Sequence, residues 1–157
     1  MRRKTSATLV AATALIPLVL SNGSAQAKST DEVKASSLSC HLTSKHTYTD
    51  ASGRVLLSYT KVKLWETNGT TVKRKKISYG GNVTPLGKMQ GWTYSRTTGV
   101  VDEYRQWFGV RNARHYSAAT GNFVNSLGKK PVKLEARQIV RANGTWETNG
   151  PSYGECS

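Results

Sequence analysis

The densest group of chemically active side chains in the sequence is a run of four consecutive basic residues, Lys73, Arg74, Lys75 and Lys76. Ammonium and guanidinium groups bind phosphates, sulfates and carboxylates, and the guanidinium of Arg74 pairs with such groups through two parallel hydrogen bonds. We therefore predict that these four residues bind an anionic polymer: a cell-wall polymer, an acidic polysaccharide or a nucleic acid. The competing interpretation is structural, because lysines on an edge strand also prevent unwanted strand pairing.

A second group of residues contains the ingredients of a small ribonuclease. His115 would serve as general acid or base, Glu103 as its partner, and Arg111 or Arg114 as the phosphate ligand. On one extended strand Glu103 and Arg111 would lie about 26 Å apart, so only a turn near Gly109 would bring them together. Most basic proteins of this size offer a similar set of residues. We therefore expect a non-catalytic module and keep the ribonuclease as the lesser alternative.

Other catalytic and metal-binding classes have no support in the sequence. It contains no GxSxG, no HExxH and no glycine-rich phosphate loop, and its three histidines and two cysteines form no cluster at ligand spacing. Asp102 and Glu103 are adjacent, so on a strand they would point to opposite faces and would not form the carboxylate pair of a glycosidase. We predict no catalytic residues, no cofactor and no metal.

The two cysteines, Cys40 and Cys156, stand near the two ends of the predicted domain. In an exported protein they would form one disulfide, which closes a long loop and stabilises the fold by about 4 kcal/mol in the loop-entropy model. This bridge would bring the first and last ordered segments side by side.

The first 27 residues have the pattern of a secretory signal peptide. A basic start is followed by an apolar run from Ala7 to Leu20 and by the small residues Ala25 and Ala27. We therefore predict a secreted, extracellular protein with a signal peptide at 1–27, a flexible leader at 28–37 and a single all-β domain at 38–157. No second apolar stretch reaches membrane length, so no membrane span is expected.

The net charge of the chain is strongly positive, with 23 basic and nine acidic residues and a formal charge of +14. Without residues 1–27, the count is 20 basic and nine acidic side chains, or a formal +11. A charge of this size favours polyanionic partners, although solubility alone also accounts for it. The non-enzymatic alternative is a secreted inhibitor or toxin that acts on a protein partner through an exposed loop such as Asn82 to Gly91.

The stretch from Arg54 to Tyr79 has the strongest pattern of local structure. Two β-rich runs flank Asn68 and Gly69, a pair typical of a tight hairpin turn. The first run has apolar residues on both faces, which predicts a central strand. The second run contains the four basic residues and would be an edge strand.

The remaining sequence predicts further short strands separated by turns. Leu38 to Tyr48 alternates with a period of two and turns His46 inward as a structural imidazole, whereas His41 faces solvent. The segment from Val100 to Arg111 fits a helix or a strand, and a strand is preferred. We also expect a strand over 132–140 and a hairpin turn at Asn143.

The expected turns lie near Thr98 and Gly99 and at 120–122, and the segment 83–91 is expected to be irregular because Pro85 and Gly87 interrupt it. Six turn signals and about seven or eight strands predict an all-β fold, an antiparallel β-sandwich or a partly closed barrel, with one disulfide joining the terminal segments.

One pentapeptide, WETNG, occurs at 65–69 and again at 146–150. Unequal spacing and dissimilar flanking residues make it weak support for an internal repeat, and convergent turn chemistry is the preferred explanation. The two tryptophans would stack on sugars or bases if exposed, but a tryptophan before a tight turn more often belongs to the core.

Overall fold

The computed structural model of the protein describes residues 36–157, so the predicted signal peptide and most of the leader lie outside the described residues. Eight strands and one short helix follow one another along the chain. The first four elements are β1 (Leu38–Thr49), β2 (Val55–Thr67), β3 (Val72–Val83) and α1 (Pro85–Met89). The rest are β4 (Trp92–Trp107), β5 (Val110–Asn125), β6 (Val132–Arg141), β7 (Trp146–Thr148) and β8 (Ser152–Cys156).

The strands form two antiparallel four-stranded sheets that pack on each other as a sandwich. The first sheet has the order β3-β2-β1-β8 and the second has the order β4-β5-β6-β7. Consecutive strands pair through hairpins within each sheet, α1 connects the first sheet to the second, and β8 returns to pair with β1. The all-β prediction is confirmed, with β2 as a central strand and β3 at an edge.

The disulfide between Cys40 and Cys156 is also as predicted. It joins β1 to β8 across neighbouring strands and closes a sequence separation of 116 residues. Beside it, Ser39 and Ser157 exchange two backbone hydrogen bonds of 2.8 and 2.9 Å. The first and last described segments therefore lie side by side.

Several turns differ from the sequence-based expectations. The chain does not reverse at Thr98 and Gly99: β4 continues to Trp107, and Gly99, with φ of 59°, lies where its pairing with β5 shifts register. A glycine with positive φ occurs in β-bulges as well as in turns, so the sequence alone does not distinguish the two. The predicted turn at 120–122 is likewise absent, because these residues lie inside β5.

Two further local predictions were wrong in detail. The stretch around Pro85 is not irregular: it forms α1, with Pro85 in the first turn and Thr84 as the N-cap that accepts a hydrogen bond from Gly87 N. The hairpin between β2 and β3 has a four-residue loop rather than a two-residue turn, since Thr67 pairs with Val72. The side chain of Asn68 accepts hydrogen bonds from the backbone of Thr70 and Thr71 and holds this loop.

The core between the sheets consists of two apolar clusters. The cluster near the disulfide contains Cys40, Leu42, Trp65, Val72, Ala113, Val140 and Ala142. The cluster near α1 contains Leu56, Leu57, Tyr59, Trp92, Ala119, Phe123 and Ala136. Tyr59 packs directly over Gly121, where an added Cβ would lie 2.2 Å from the tyrosine ring. Glycine is therefore required at that position of β5.

A polar layer separates the two clusters, and we call it the polar belt. Its members are all at most 1 % exposed and come from β1, β2, β5 and β6: Ser44, Lys61, Lys63, His115, Ser117 and Gln138. Gln138 Nε2 donates to Ser44 Oγ at 3.0 Å and to the backbone oxygen of Lys61 at 3.1 Å, so it connects the two sheets. None of the helical segments in the described part of the chain has the length and apolar character of a transmembrane helix.

Candidate functional site

The predicted basic run lies on β3, and its four side chains are exposed. A register shift between Leu64 and Trp65 of the neighbouring strand places Arg74 opposite the inward-facing Trp65. Arg74 forms an ion pair with Asp102 of β4, and Lys75 forms one with Glu66 at 2.8 Å. Half of the run is therefore committed to ion pairs within the protein, which leaves Lys73 and Lys76 for a ligand.

Each of the seven carboxylate side chains of residues 36–157 has a basic side chain beside it. Six of these seven side chains pair with an arginine or lysine, and Glu155 lies 3.8 Å from His41. Ten surface cations of the same region have no carboxylate partner there: Lys45, Lys73, Lys76, Lys88, Arg96, Arg111, Arg114, Lys129, Lys130 and Lys133. The positive surface charge of residues 36–157 is therefore not neutralised by the side chains of that region.

Five of these cations gather at one end of the sandwich, which we call the α1 end: Lys88, Arg96, Lys129, Lys130 and Lys133. The loop after β5 is held against the segment after α1, because Ser126 N donates to Gly91 O at 2.9 Å. Lys129 Nζ donates to Gln90 Oε1 at 3.0 Å. Arg96 and Lys133 are both paired in register with Asn122 of β5, so they lie in one row across three strands.

A groove of about 470 Å³ opens at the same α1 end. Lys88 and Ser126 line it together with the rings of Trp92 and Tyr94 and the amide of Asn82. This combination offers a cation and polar donors beside aromatic surface, as ligand sites generally do. Part of the lining comes from the segment Asn82 to Gly91, which the sequence analysis considered as an inhibitory loop. The groove itself was not predicted, because it is formed jointly by β3, β4 and the β5–β6 loop.

The ribonuclease set is only partly brought together. A turn at Phe108 and Gly109 does reverse the chain, so β4 and β5 form a hairpin. Glu103, however, pairs in register with Tyr116 and forms an ion pair with Arg105 on the outer face. His115 points inward instead, where it is 1 % exposed.

The partner of His115 is Asp102, which the sequence analysis did not assign to it. His115 Nε2 lies 2.9 Å from Asp102 Oδ1, and the ring of Tyr104 packs edge-on against the imidazole with centroids 4.6 Å apart. Burial, with a smaller contribution from the nearby Lys63, lowers the pKa of His115 to about 4. The imidazole is therefore neutral at neutral pH, and because it is buried an RNA chain does not reach it in this conformation.

Lys63 and Ser117 form a second close pair in the polar belt. Lys63 Nζ donates to Ser117 Oγ at 2.9 Å and to the backbone oxygen of His115 at 3.4 Å. Burial, together with a smaller effect of the neighbouring Lys61, lowers the pKa of Lys63 to about 7. A serine beside a neutral lysine resembles the nucleophile and base of some hydrolases. Both side chains are fully buried, so no substrate reaches Ser117 in this conformation.

The buried lysines could have been found from strand parity. Leu57, Tyr59, Lys61, Lys63 and Trp65 occupy alternate positions, so one face of β2 carries all five side chains. The sequence analysis noted apolar residues on both faces of this run and did not consider the lysines, because burying an ammonium group is costly and rare.

The two copies of WETNG occupy different structural positions. Trp65 lies at the end of β2 and is buried, whereas Trp146 lies in β7 of the other sheet and is partly buried. Their rings pack edge to face with centroids 6.5 Å apart. Both rings contribute to the apolar cluster near the disulfide. Trp65 is closed to a ligand, whereas the exposed part of Trp146 lines a groove of about 440 Å³ beside Cys156.

Within residues 36–157, His, Cys, Asp and Glu side chains form no group of three that would hold a metal ion. No protein-family model matches the chain, and neither a curated protein nor a solved structure resembles it detectably.

Proposed function

We propose that this protein is a secreted, non-catalytic module that binds an anionic polymer of the cell surface or its surroundings. The observation that carries the proposal is the unbalanced surface charge. All seven carboxylate side chains of residues 36–157 have a basic neighbour, yet ten surface cations of the same region have no carboxylate partner there. Phosphates, sulfates or carboxylates along a polymer would supply the missing negative charge.

The α1 end is the best place for such a polymer. One of its five cations, Lys88, lines a groove that is also lined by Trp92, Tyr94 and Asn82. Lys73 and Lys76 on β3 offer a second basic area, and Arg74 contributes less because it already pairs with Asp102. Binding of this kind releases counterions from the polymer, so it weakens steeply as salt is added.

The test compares two triple variants that remove the same charge. One is Lys88→Gln, Lys129→Gln and Lys130→Gln at the α1 end; the other is Lys73→Gln, Lys75→Gln and Lys76→Gln on β3. Affinity for fluorescent heparin fragments, a phosphodiester wall polymer and a DNA oligonucleotide is measured by anisotropy between 50 and 200 mM salt. We expect the α1-end triple to bind at least tenfold more weakly and to lose about three units of salt slope, roughly one for each lysine.

Two results would contradict the proposal in different ways. Wild-type protein that binds none of the three polymers at 50 mM salt would remove the function itself. Equal losses in the two triples would show that total charge matters and that the α1 end is no defined site. The order of the three affinities in the wild type identifies the polymer class.

A protein partner is the second candidate, and two exposed apolar side chains favour it. Met89 on α1 is 82 % exposed and Leu127 in the β5–β6 loop is 69 % exposed, both at the α1 end. If an inhibitor or toxin surface is formed here, the double variant Met89→Ser and Leu127→Ser loses binding to a purified secreted protease or receptor. The same variant keeps wild-type polymer affinity if the ligand is a polyanion.

A further inference from the structure

A cavity of about 130 Å³ lies between the edge strands β3 and β4, apart from the α1 end. Exposed side chains, among them Tyr79, Val100 and Val101, form its rim. Its buried part is lined by Lys61, which is 1 % exposed, and Ala118, which is 4 % exposed. The cavity therefore leads from solvent to the edge of the polar belt.

The lining of this cavity is divided between charge and apolar surface. The charged groups are Lys61 from β2, Arg74 from β3 and Asp102 from β4. Arg74 and Asp102 neutralise each other in an ion pair. The apolar part consists of Ile77, Val100, Val101 and Ala118.

Lys61 is the unusual member of the lining. Its Nζ is buried and has no hydrogen-bond partner within residues 36–157. A buried ammonium without a partner is strongly unfavourable, so a group that supplies a negative charge or acceptors beside it would be bound firmly. Asp102 is the nearest carboxylate that acts on Lys61, and it is already shared by Arg74 and His115.

We infer that this cavity binds a small aliphatic carboxylate, with its carboxylate group beside the unpartnered Lys61 and its short chain against Val100, Val101 and Ala118. The size fits this class, because a cavity of about 150 Å³ holds the six carbon atoms of benzene. An anion without a chain would leave the apolar walls without contacts, and a neutral molecule would leave Lys61 without a counter-charge.

Binding is coupled to protonation of Lys61. Burial lowers the pKa of Lys61 to about 8, so part of the population is neutral in mildly alkaline solution. The groups that face it are Lys63 on its own strand, Arg74 and Tyr79 from β3, Asp102 from β4, His115 from β5 and the amide of Gln138 from β6. A bound carboxylate adds a negative charge to this set and favours the ammonium form, so the protein takes up protons as it binds.

The experiment is a calorimetric titration of the exported protein with butyrate at pH 8.5, in two buffers that differ in ionisation enthalpy. We expect saturable one-to-one binding with a heat that depends on the buffer. Butanol, which has the chain without the charge, and chloride, which has the charge without the chain, should each bind at least tenfold more weakly. No saturable binding of butyrate up to 50 mM, or equal binding of butanol, would overturn the inference.

Two substitutions locate the site. Lys61→Met should weaken butyrate binding at least tenfold and abolish the proton uptake, whereas Lys63→Met, which removes a buried lysine that does not line the cavity, should retain binding. If Lys61→Met does not fold, Ala118→Val, which reduces the cavity without changing charge, should weaken binding instead. If the folded variant, Lys61→Met or Ala118→Val, binds butyrate as tightly as the wild type does, the proposed site is refuted. Polymer affinity at the α1 end is unaffected by either, so this inference and the proposed function fail separately.

Discussion

At the scale of single residues, the two lysines of the polar belt are the most costly feature of the molecule. Lys61 and Lys63 are at most 1 % exposed, yet they stand on one strand with one carboxylate, Asp102, acting on both. Taking an ammonium from water into a protein interior disfavours the charged form. The protein therefore carries two groups whose protonation opposes folding.

This cost predicts an unusual dependence of stability on pH. The pKa of Lys63 is about 7 in the folded protein, against about 10.4 for an exposed lysine. Between these pH values the unfolded chain binds more protons, so the free energy of unfolding rises with pH. The charged groups around Lys63 are Lys61, Arg74, Asp102 and His115. We expect a gain on the order of 4 kcal/mol between pH 6.5 and 9.5, measured by urea denaturation.

The Lys63→Met variant tests the origin of this slope. It should unfold with a much flatter pH profile and be more stable than the wild type at pH 6.5, since an apolar side chain replaces a buried charge. Lys88→Met, at an exposed lysine of α1, should keep the wild-type slope. An unchanged slope in Lys63→Met would show that another group titrates.

At the scale of secondary structure, the β4–β5 hairpin contains a strained turn. Trp107 pairs with Val110, and the two residues between them, Phe108 and Gly109, have φ of 46° and 79°. Such turns favour Asn-Gly, and a bulky residue with positive φ costs about 1–2 kcal/mol. The ring of Phe108 is 87 % exposed, so burial offsets little of this cost.

Replacing Phe108 with asparagine should therefore stabilise the protein. We expect Phe108→Asn to raise the free energy of unfolding by about 1 kcal/mol in chemical denaturation, because asparagine tolerates the left-handed conformation. Leu127→Asn is the matched control: it also removes an exposed apolar side chain, from a residue without positive φ, and should give no gain. A gain in both variants would point to surface hydrophobicity rather than to the turn.

A strand was predictable from sequence where the alternation or charge of its own residues indicated its position in the sheet. The alternation from Leu38 to Tyr48 gave the correct inward face of β1, and the charge of β3 gave its edge position. Gly99 was misread because positive φ serves bulges and turns alike. The pairing of His115 with Asp102 rather than Glu103 depends on the register of β4 against β5, which no local pattern contains.

At the scale of the whole molecule, the two ends of the sandwich differ in their surface charge. The α1 end gathers five unpaired cations from β4, β6, α1 and the β5–β6 loop, which are as many as 45 residues apart in sequence between Lys88 and Lys133. The sequence analysis chose the basic run on β3 because contiguous charge is visible in a sequence. Charge that the fold assembles from distant segments becomes visible only with the topology.

The opposite end is closed by the disulfide, and its contribution to stability can be measured. The bridge spans 116 residues of sequence separation, for which the loop-entropy model gives between about 4 and 5 kcal/mol. We expect the double variant Cys40→Ala and Cys156→Ala to lose about 2–5 kcal/mol of unfolding free energy in urea denaturation. Dithiothreitol should destabilise the wild type by a similar amount and leave the variant unchanged. A variant as stable as the oxidised wild type would contradict this prediction.

The same bridge determines how the protein responds to mechanical load. If one flank of the domain is attached to a surface and the other is pulled, the tension enters at Cys40 and leaves at Cys156, which are covalently joined. Force then bypasses the chain between them, so β2 to β7, the polar belt and the α1 end carry no tension. Only reduction of the disulfide transfers the load to the hydrogen bonds between β1 and β8, which are aligned side by side over five residue pairs from Cys40 to Ser44.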